Sequence, residues 1–321
     1  AFSAGPLALL VIMRMYFGSF VLWCQKNHTE NGMEVGINVF SDDWQLLFLK
    51  LLKHGTPTSR NGDDGDFSGF DGCQKPVPQW AACDLINSWY DDGPVNKKIR
   101  EIIFLEIVQS KHIRGSLIVE WLGSNPSGNY LTTTVNNLYN LLCALYVWHK
   151  IHDYDIKKLY TFFDNVEYHV FGDDNVFTCS QYAIPLFNAP ALEKHLKDLG
   201  MKFTSASKDG VKQNMRSPLE LSFLKRVWRY EPLLNRHVGP LSLDTILEMP
   251  YWTKKGEYQD SIVVENVNTA LGELALHSSE TFNQWAPLII KASRELINYS
   301  PPITDRMALI FDQDGKENYI P

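Results

Sequence analysis

The chain has 321 residues, 45% of them hydrophobic and 21% charged, with a formal net charge of −7 and a pI near 5.7. This is the composition of an ordinary soluble globular protein, long enough for about two domains and a sizeable core. The acidic balance argues against a uniformly basic nucleic-acid surface but does not exclude a local basic patch. Cys24, Cys73, Cys83, Cys143 and Cys179 form no C-x-x-C pair, which excludes the common zinc frameworks and suits a reducing compartment.

In chain order, residues 1–25 read as mixed helix and strand. The apolar run Pro6 to Trp23 is interrupted by Arg14 and predicts a buried helix or strand, with neither a signal peptide nor a transmembrane segment. The chain opens at Ala1 inside an apolar pattern, as a fragment of a longer product would. Trp44 to Lys53 predicts an amphipathic helix, Thr56 to Gly65 a polar loop, and Trp80 to Tyr90 a helix. Ser124 to Gly128 reads as a loop and Leu131 to Lys150 as a helix. Asn188 and Pro190 open a helix that Gly200 closes. Leu221 to Tyr230 predicts a strand pair. A domain boundary falls near residue 230, and the pattern after it is mainly helical, with Trp252 and Trp285 expected in its core.

The most informative segment is Tyr168 to Phe177, in which two β-prone stretches flank Gly172-Asp173-Asp174. The spacing predicts a tight β-hairpin. Two adjacent carboxylates in a tight turn repel each other, a poor choice unless divalent cations sit there. Magnesium takes oxygen ligands, usually one or two carboxylates with substrate phosphates. Asp66 and Asp71 lie five residues apart, and Asp66 at a strand end could face the same cavity as Asp173. Read alone, such an Asp-rich loop is more often a solvated turn. Thr132 and Asn136, four apart, share one helix face and can offer a hydroxyl and an amide to a sugar. A capped helix with polar surface residues is the plainer alternative.

The order Asp66-x4-Asp71, then Ser127-Gly128-x3-Thr132-x3-Asn136, then Phe171-Gly172-Asp173-Asp174 resembles the palm of viral RNA-dependent RNA polymerases. Leu199 to Lys208, Phe223 to Arg226, Arg14 to Gly18 and Gln25 to Asn27 agree with further segments of that family. The resemblance is closest to the picornavirus-like enzymes (order Picornavirales) and spans nearly the whole chain. Phe171 stands where the family more often has tyrosine before Gly-Asp-Asp.

The resemblance implies an α+β fold: a right-hand palm with an antiparallel sheet backed by helices, partial fingers and a mainly helical thumb. Residues 1–97 would hold the upstream segment and first part of the palm, 98–120 a fingers insertion, 121–230 the rest of the palm and 231–321 the thumb. The implied activity is RNA-directed RNA polymerisation by two-metal-ion nucleotidyl transfer, replicating a positive-strand RNA virus genome. Asp66 and Asp173, with Asp174 secondary, would bind two Mg2+ ions, Mn2+ being a substitute. Lys208 would protonate pyrophosphate as general acid. Asp71, Asn136 and Thr132 would sense the ribose 2′-hydroxyl, which separates RNA from DNA building blocks. Ser127 and Gly128 would form a mobile loop near the nucleotide. Lys225 and Arg226 would contact the primer backbone.

The implied partners are an RNA template, a primer strand, ribonucleoside triphosphates, a protein primer and other viral replication proteins. The implied location is the host cytoplasm at replication complexes, after release from a viral polyprotein. The family's basic fingers segment, ending in a Lys-x-Arg-like run, would lie directly upstream of Ala1, and an isolated chain without it is expected to be inactive. Two further readings stay open. A reverse transcriptase shares the palm, although polar Asp71 and Asn136 argue against it. A non-catalytic RNA-binding palm fragment would bind RNA in a salt-dependent way without metal-dependent turnover.

Overall fold

The computed structural model describes residues 5–205, 215–253 and 259–314. Within them the strands are β1 (Gly62–Phe67), β2 (Gln109–Arg114), β3 (Leu117–Leu122), β4 (Val166–Phe171), β5 (Asp174–Cys179), β6 (Phe203–Ser205), β7 (Arg229–Glu231) and β8 (Arg236–Val238). The chain divides into two compact units, Ala1–Ile37 with Leu51–Pro218, and Asn38–Lys50 with Leu219–Pro321. The division thus lies at Pro218 rather than near residue 230, and it carries residues 38–50 into the second unit.

The first unit is α+β. Its main sheet has the order β4-β5-β1-β6, every neighbouring pair antiparallel. The helices Thr132–Ile151 and Ala189–Leu196 pack against it at β4 and β6. Asn188 caps the second of these by accepting from the Ala191 N–H at 3.1 Å, and Gly200 ends the following 3-10 turn at φ 72°. Both were expected from local chemistry. Residues 7–26 form one helix rather than mixed structure, because Met13, Phe17, Phe20, Val21 and Cys24 recur at helical spacing and are buried together. By length and composition this helix could cross a membrane, a property that core helices of soluble proteins share.

The sharpest departure from the sequence reading is β1. Gly62-Asp63-Asp64-Gly65 looks like the end of a polar loop, since glycine and aspartate are depleted in strands. Here it is a central strand between β5 and β6. Asp63 and Asp64 are buried, and the Arg216 guanidinium donates to both carboxylates. Gly65 is required by space: a Cβ there would lie 2.0 Å from the Phe203 ring, which is itself packed edge-on to Phe67 at 5.3 Å. Gly65→Ala is therefore expected to destabilise the first unit by about 1–3 kcal/mol, as overpacked cores do. Thermal denaturation checks this, and an unchanged midpoint would show that the ring moves aside freely.

Residues 94–108 form a helix that buries Ile103, Phe104, Ile107 and Val108 in the core. Of the segment 98–120, only the β2–β3 hairpin therefore carries mostly exposed side chains. In the second unit, helices Leu243–Glu248, Gln259–Ala275, Ser279–Ile297 and Arg306–Asp314 share a core around Leu271, Leu274 and Phe282. Helix Asp42–Leu51, matching the predicted amphipathic helix, brings Trp44 to stack on Trp228 at 5.0 Å. Trp285 packs against the core as expected, but Trp252 does not: it is 71% exposed.

Candidate active site

The predicted hairpin is present. Phe171 pairs with Asp174, so Gly172 and Asp173 alone make the turn, with Gly172 at φ 66°. No atom lies within 4 Å of a Cβ built on Gly172, so the glycine is needed for backbone conformation and not for space. Asp66 follows directly on Gly65, whose partner in β5 is Asn175. One further step along this antiparallel register sets Asp66 beside Asp174, at the sheet end that bears the turn.

The electrostatics agree with this proximity. Burial raises the Asp173 carboxyl above its ordinary range, and the neighbouring charges of Asp66 and Asp71 push it the same way. Crowded carboxylates supply hard oxygen donors, the chemistry that magnesium or manganese prefers. No group of three or more His, Cys, Asp or Glu among the described residues is placed to hold a metal ion. Magnesium held partly by substrate phosphates needs only one or two carboxylates from the protein.

Beside the turn stands a fixed polar network. Asp71, on the short helix Phe70–Cys73, accepts from Ser127 Oγ at 2.5 Å and from Asn136 Nδ2 at 2.7 Å. Asn136 Oδ1 in turn accepts from Gln74 Nε2 at 2.7 Å and Asn125 Nδ2 at 2.8 Å. The structure thus gathers Asp71, Ser127 and Asn136 at one place. Thr132 differs from expectation. Its hydroxyl donates to the carbonyls of Pro126 and Asn129 and accepts the Gly128 N–H, so it braces the 126–129 loop instead of facing Asp71.

The helix Thr132–Ile151 holds the Gly172–Asp173 turn. Asn137 Oδ1 accepts the Gly172 N–H at 2.5 Å, and Asn140 Nδ2 donates to the carbonyls of Gly172 and Asp173 at 3.1 and 3.2 Å. Sequence reasoning missed Gln74, Asn125, Asn137 and Asn140. The available signal was the run of amides at 136, 137 and 140 in a largely apolar helix, because buried amides require partners.

A buried ionic chain braces β4 just ahead of the turn. His169 Nδ1 lies 2.7 Å from Glu34 Oε1, and His169 Nε2 lies 3.1 Å from Glu167 Oε1. The other oxygens of these carboxylates meet His28 Nδ1 at 3.0 Å and Lys53 Nζ at 3.0 Å. Burial alone would lower the His169 pKa, but its two carboxylate partners outweigh it and raise the value to about 9. Burial would likewise raise Glu34, yet its two histidine partners hold it low.

Of the remaining expected residues, Lys208 lies outside the described residues. Lys225 is exposed at a two-residue turn in which Phe223 and Arg226 exchange both backbone hydrogen bonds at 2.9 Å. Leu224 and Lys225 adopt φ of 53° and 61° there, a costly conformation for both. Arg226 does not present its charge to a phosphate backbone. Its guanidinium is buried, pairing with both oxygens of Glu273 at 2.8 and 2.7 Å and donating to the Gly239 carbonyl at 2.6 Å. The physical reason is that a buried arginine must be neutralised and hydrogen-bonded; its role is structural.

Comparison with known proteins bears on this arrangement. A family model described as viral RNA-dependent RNA polymerase matches residues 1–291. The replicase polyprotein of Acute bee paralysis virus (strain Rothamsted) is 32% identical over 301 residues, covering 91% of this chain and 16% of the polyprotein. That of Drosophila C virus (strain EB) is 30% identical over 309 residues, covering 92% of the chain and 17% of the polyprotein. In fold, the chain is similar to a Sicinivirus 3Dpol RNA dependent RNA polymerase, with a TM-score of 0.79 at 17% identity, covering 97% of this chain and 62% of that one. The chain therefore spans about a sixth of the polyproteins it matches. It belongs to the viral RNA-dependent RNA polymerase family.

Proposed function

We propose that this protein is the RNA-directed RNA polymerase of a positive-strand RNA virus, released from a polyprotein and acting in the host cytoplasm at replication complexes. The observation that carries the reading is the convergence of Asp66 and Asp173 at one sheet end, beside the Asp71–Asn136–Ser127 network. The first unit corresponds to the palm, with the β2–β3 hairpin in the fingers, and the second to the thumb. The substrates are an RNA template with a primer strand and ribonucleoside triphosphates. A protein primer and other viral replication proteins are the further partners.

Asp66, Asp173 and Asp174 would hold two Mg2+ ions, which Mn2+ could replace, and their oxygens fit such ions. When bound, the ions supply activation of the primer 3′-hydroxyl and neutralisation of triphosphate charge. The chain's own part is positional. The turn carries Asp173 on a backbone fixed by Asn137 and Asn140. Asp71 is oriented through both oxygens, each with a lone pair left to accept from a ribose 2′-hydroxyl. Ser127 ties the loop of Gly128 to that carboxylate. Lys208, protonated at neutral pH, would give its proton to the departing pyrophosphate. Lys225 would meet the primer backbone as a surface cation.

The test is incorporation on a primed RNA template by the full-length protein with Mg2+, comparing ribo- and deoxyribonucleotides. Strong preference for ribonucleotides separates this enzyme from a reverse transcriptase. Asp71→Ala removes one charge-assisted hydrogen bond to the sugar, worth about 1.5–3 kcal/mol. The ribo-to-deoxy preference is expected to fall about 10- to 100-fold. Unchanged preference in that variant would remove Asp71 from sugar recognition.

A further inference from the structure

The geometry points to Asn140 as a positioning residue for the catalytic turn: its amide, aimed by the Tyr168 hydroxyl, fixes the Gly172–Asp173 backbone and so sets how tightly the Asp173 carboxylate binds a divalent ion. This rests on the metal-binding reading of that turn and extends it to residues that touch neither metal nor substrate.

A two-residue turn projecting from a sheet has backbone groups with no ladder partner, and these are free to rotate unless something holds them. Here three of them are held from one side. Asn140 Nδ2 donates to both the Gly172 and the Asp173 carbonyls, and Asn137 Oδ1 takes the Gly172 N–H. Asn140 is itself prevented from turning over, because Tyr168 Oη donates to Asn140 Oδ1 at 2.9 Å. The two turn carbonyls assign the amide: they can only accept, so the NH2 faces the turn and the oxygen faces the hydroxyl. Asn137 and Asn140 are fully buried and Tyr168 is nearly so, which strengthens each contact and makes a lost partner costly. Tyr168 is in turn locked by stacking on Phe177 with ring centroids 5.6 Å apart. The result is a rigid chain from β4 through helix Thr132–Ile151 to the peptide groups flanking the Asp173 side chain. Groups that orient a metal ligand in this way commonly change metal affinity 10- to 100-fold when removed.

Two variants of the full-length protein separate positioning from mere stability. Asn140→Leu keeps the branched shape but leaves the Gly172 carbonyl without its side-chain donor and the Asp173 carbonyl with only the 3.4 Å contact from Asn175 Nδ2. Tyr168→Phe keeps the ring stack and removes only the hydroxyl that aims the amide. Mn2+ binding is measured by electron paramagnetic resonance without RNA or nucleotide, beside thermal denaturation. Asp173→Ala serves as the control that abolishes the signal. The Mn2+ dissociation constant is expected to rise about tenfold or more in Asn140→Leu and about two- to fivefold in Tyr168→Phe. In primer extension the apparent metal constant should rise in parallel, while the nucleotide KM at saturating metal stays within about threefold. Dissociation constants within twofold of wild type in both variants overturn the proposal, whatever the melting temperatures show. If Asn140→Leu fails to fold, Tyr168→Phe decides by the same measure. Wild-type protein that binds no Mn2+ overturns the metal reading itself, and this inference with it; normal Mn2+ binding with unaffected variants overturns only the positioning role.

Discussion

Asp173→Ala is expected to lower ribonucleotide incorporation by about 10^3-fold or more while leaving the protein folded. A metal site supplies several kcal/mol of charge stabilisation to phosphoryl transfer, and each 1.36 kcal/mol is a factor of ten in rate. The fold should survive because the turn is held through its backbone, by Asn137 and Asn140, and not through the carboxylate. Without divalent ions the variant should in fact be slightly more stable than wild type. Asp173 is raised by burial and by the charges of Asp66 and Asp71, so in the ion-free protein at neutral pH its ionised form is a destabilising presence. Primer extension and thermal denaturation on one preparation check both halves. Normal extension by the variant would end the polymerase assignment at this turn. A large fall in melting temperature would show the carboxylate to be structural.

The second large effect concerns His169. Its pKa is raised to about 9 from an ordinary value of 6.5. A histidine raised on folding stabilises the protein fully below the unfolded value, and that contribution is lost as pH rises through the folded value. Stability of the first unit should therefore decline as pH rises from about 6.5 through about 9, by about 3 kcal/mol in all at 1.36 kcal/mol per pKa unit. On the acid side, Glu167 is held down at about 2 from 4.5, its burial outweighed by His169 and Lys53. Its contribution is present above pH 4.5 and lost as pH falls toward 2. His169→Ala leaves buried Glu34 with His28 alone and should cost about 3–5 kcal/mol, the usual result of breaking a buried ion pair. The alkaline decline should vanish in that variant. Urea unfolding at pH 6, 7.5 and 9.5 measures both effects. Equal midpoints at all three values would mean that the ring is neutral in the folded protein.

The consequence for function is local. His169 and Glu34 anchor β4 through the same segment that hydrogen-bonds Val170, since the Glu34 N–H donates to the Val170 carbonyl at 2.8 Å. The Gly172–Asp173 turn begins two residues after Val170. Alkaline loosening of β4 would thus reach the Asp173 carboxylate before global unfolding, because elements close to an opened contact lose stability first.

Much of this site was legible from sequence, and the reason is range. The Gly172–Asp173 turn, the Asn188 cap and the helix after Leu131 are decided within a few residues, by backbone conformation, a side-chain acceptor and apolar spacing. The family resemblance paired Asp71 with Asn136, and a hydrogen bond connects them; that Ser127 joins the same carboxylate was not foreseen. Thr132 and Arg226 were misread because a hydroxyl or a guanidinium has no preferred partner until the fold supplies one. The loop carbonyls claimed the first and Glu273 the second.

By itself, then, the sequence determined the local geometry of the acidic turn, the capped helices and the order of the polar motifs. Only the tertiary structure decided that Gly62 to Gly65 is a central strand, that Asn137 and Asn140 grip the turn, and that Glu34 meets His169 across 135 positions. Each of these depends on a partner distant in the chain: Arg216 to neutralise two buried aspartates, a neighbouring helix to supply amides, a second carboxylate to charge a buried ring. Pairings of that kind leave no periodic trace, because their energy appears only once the two segments are already packed together.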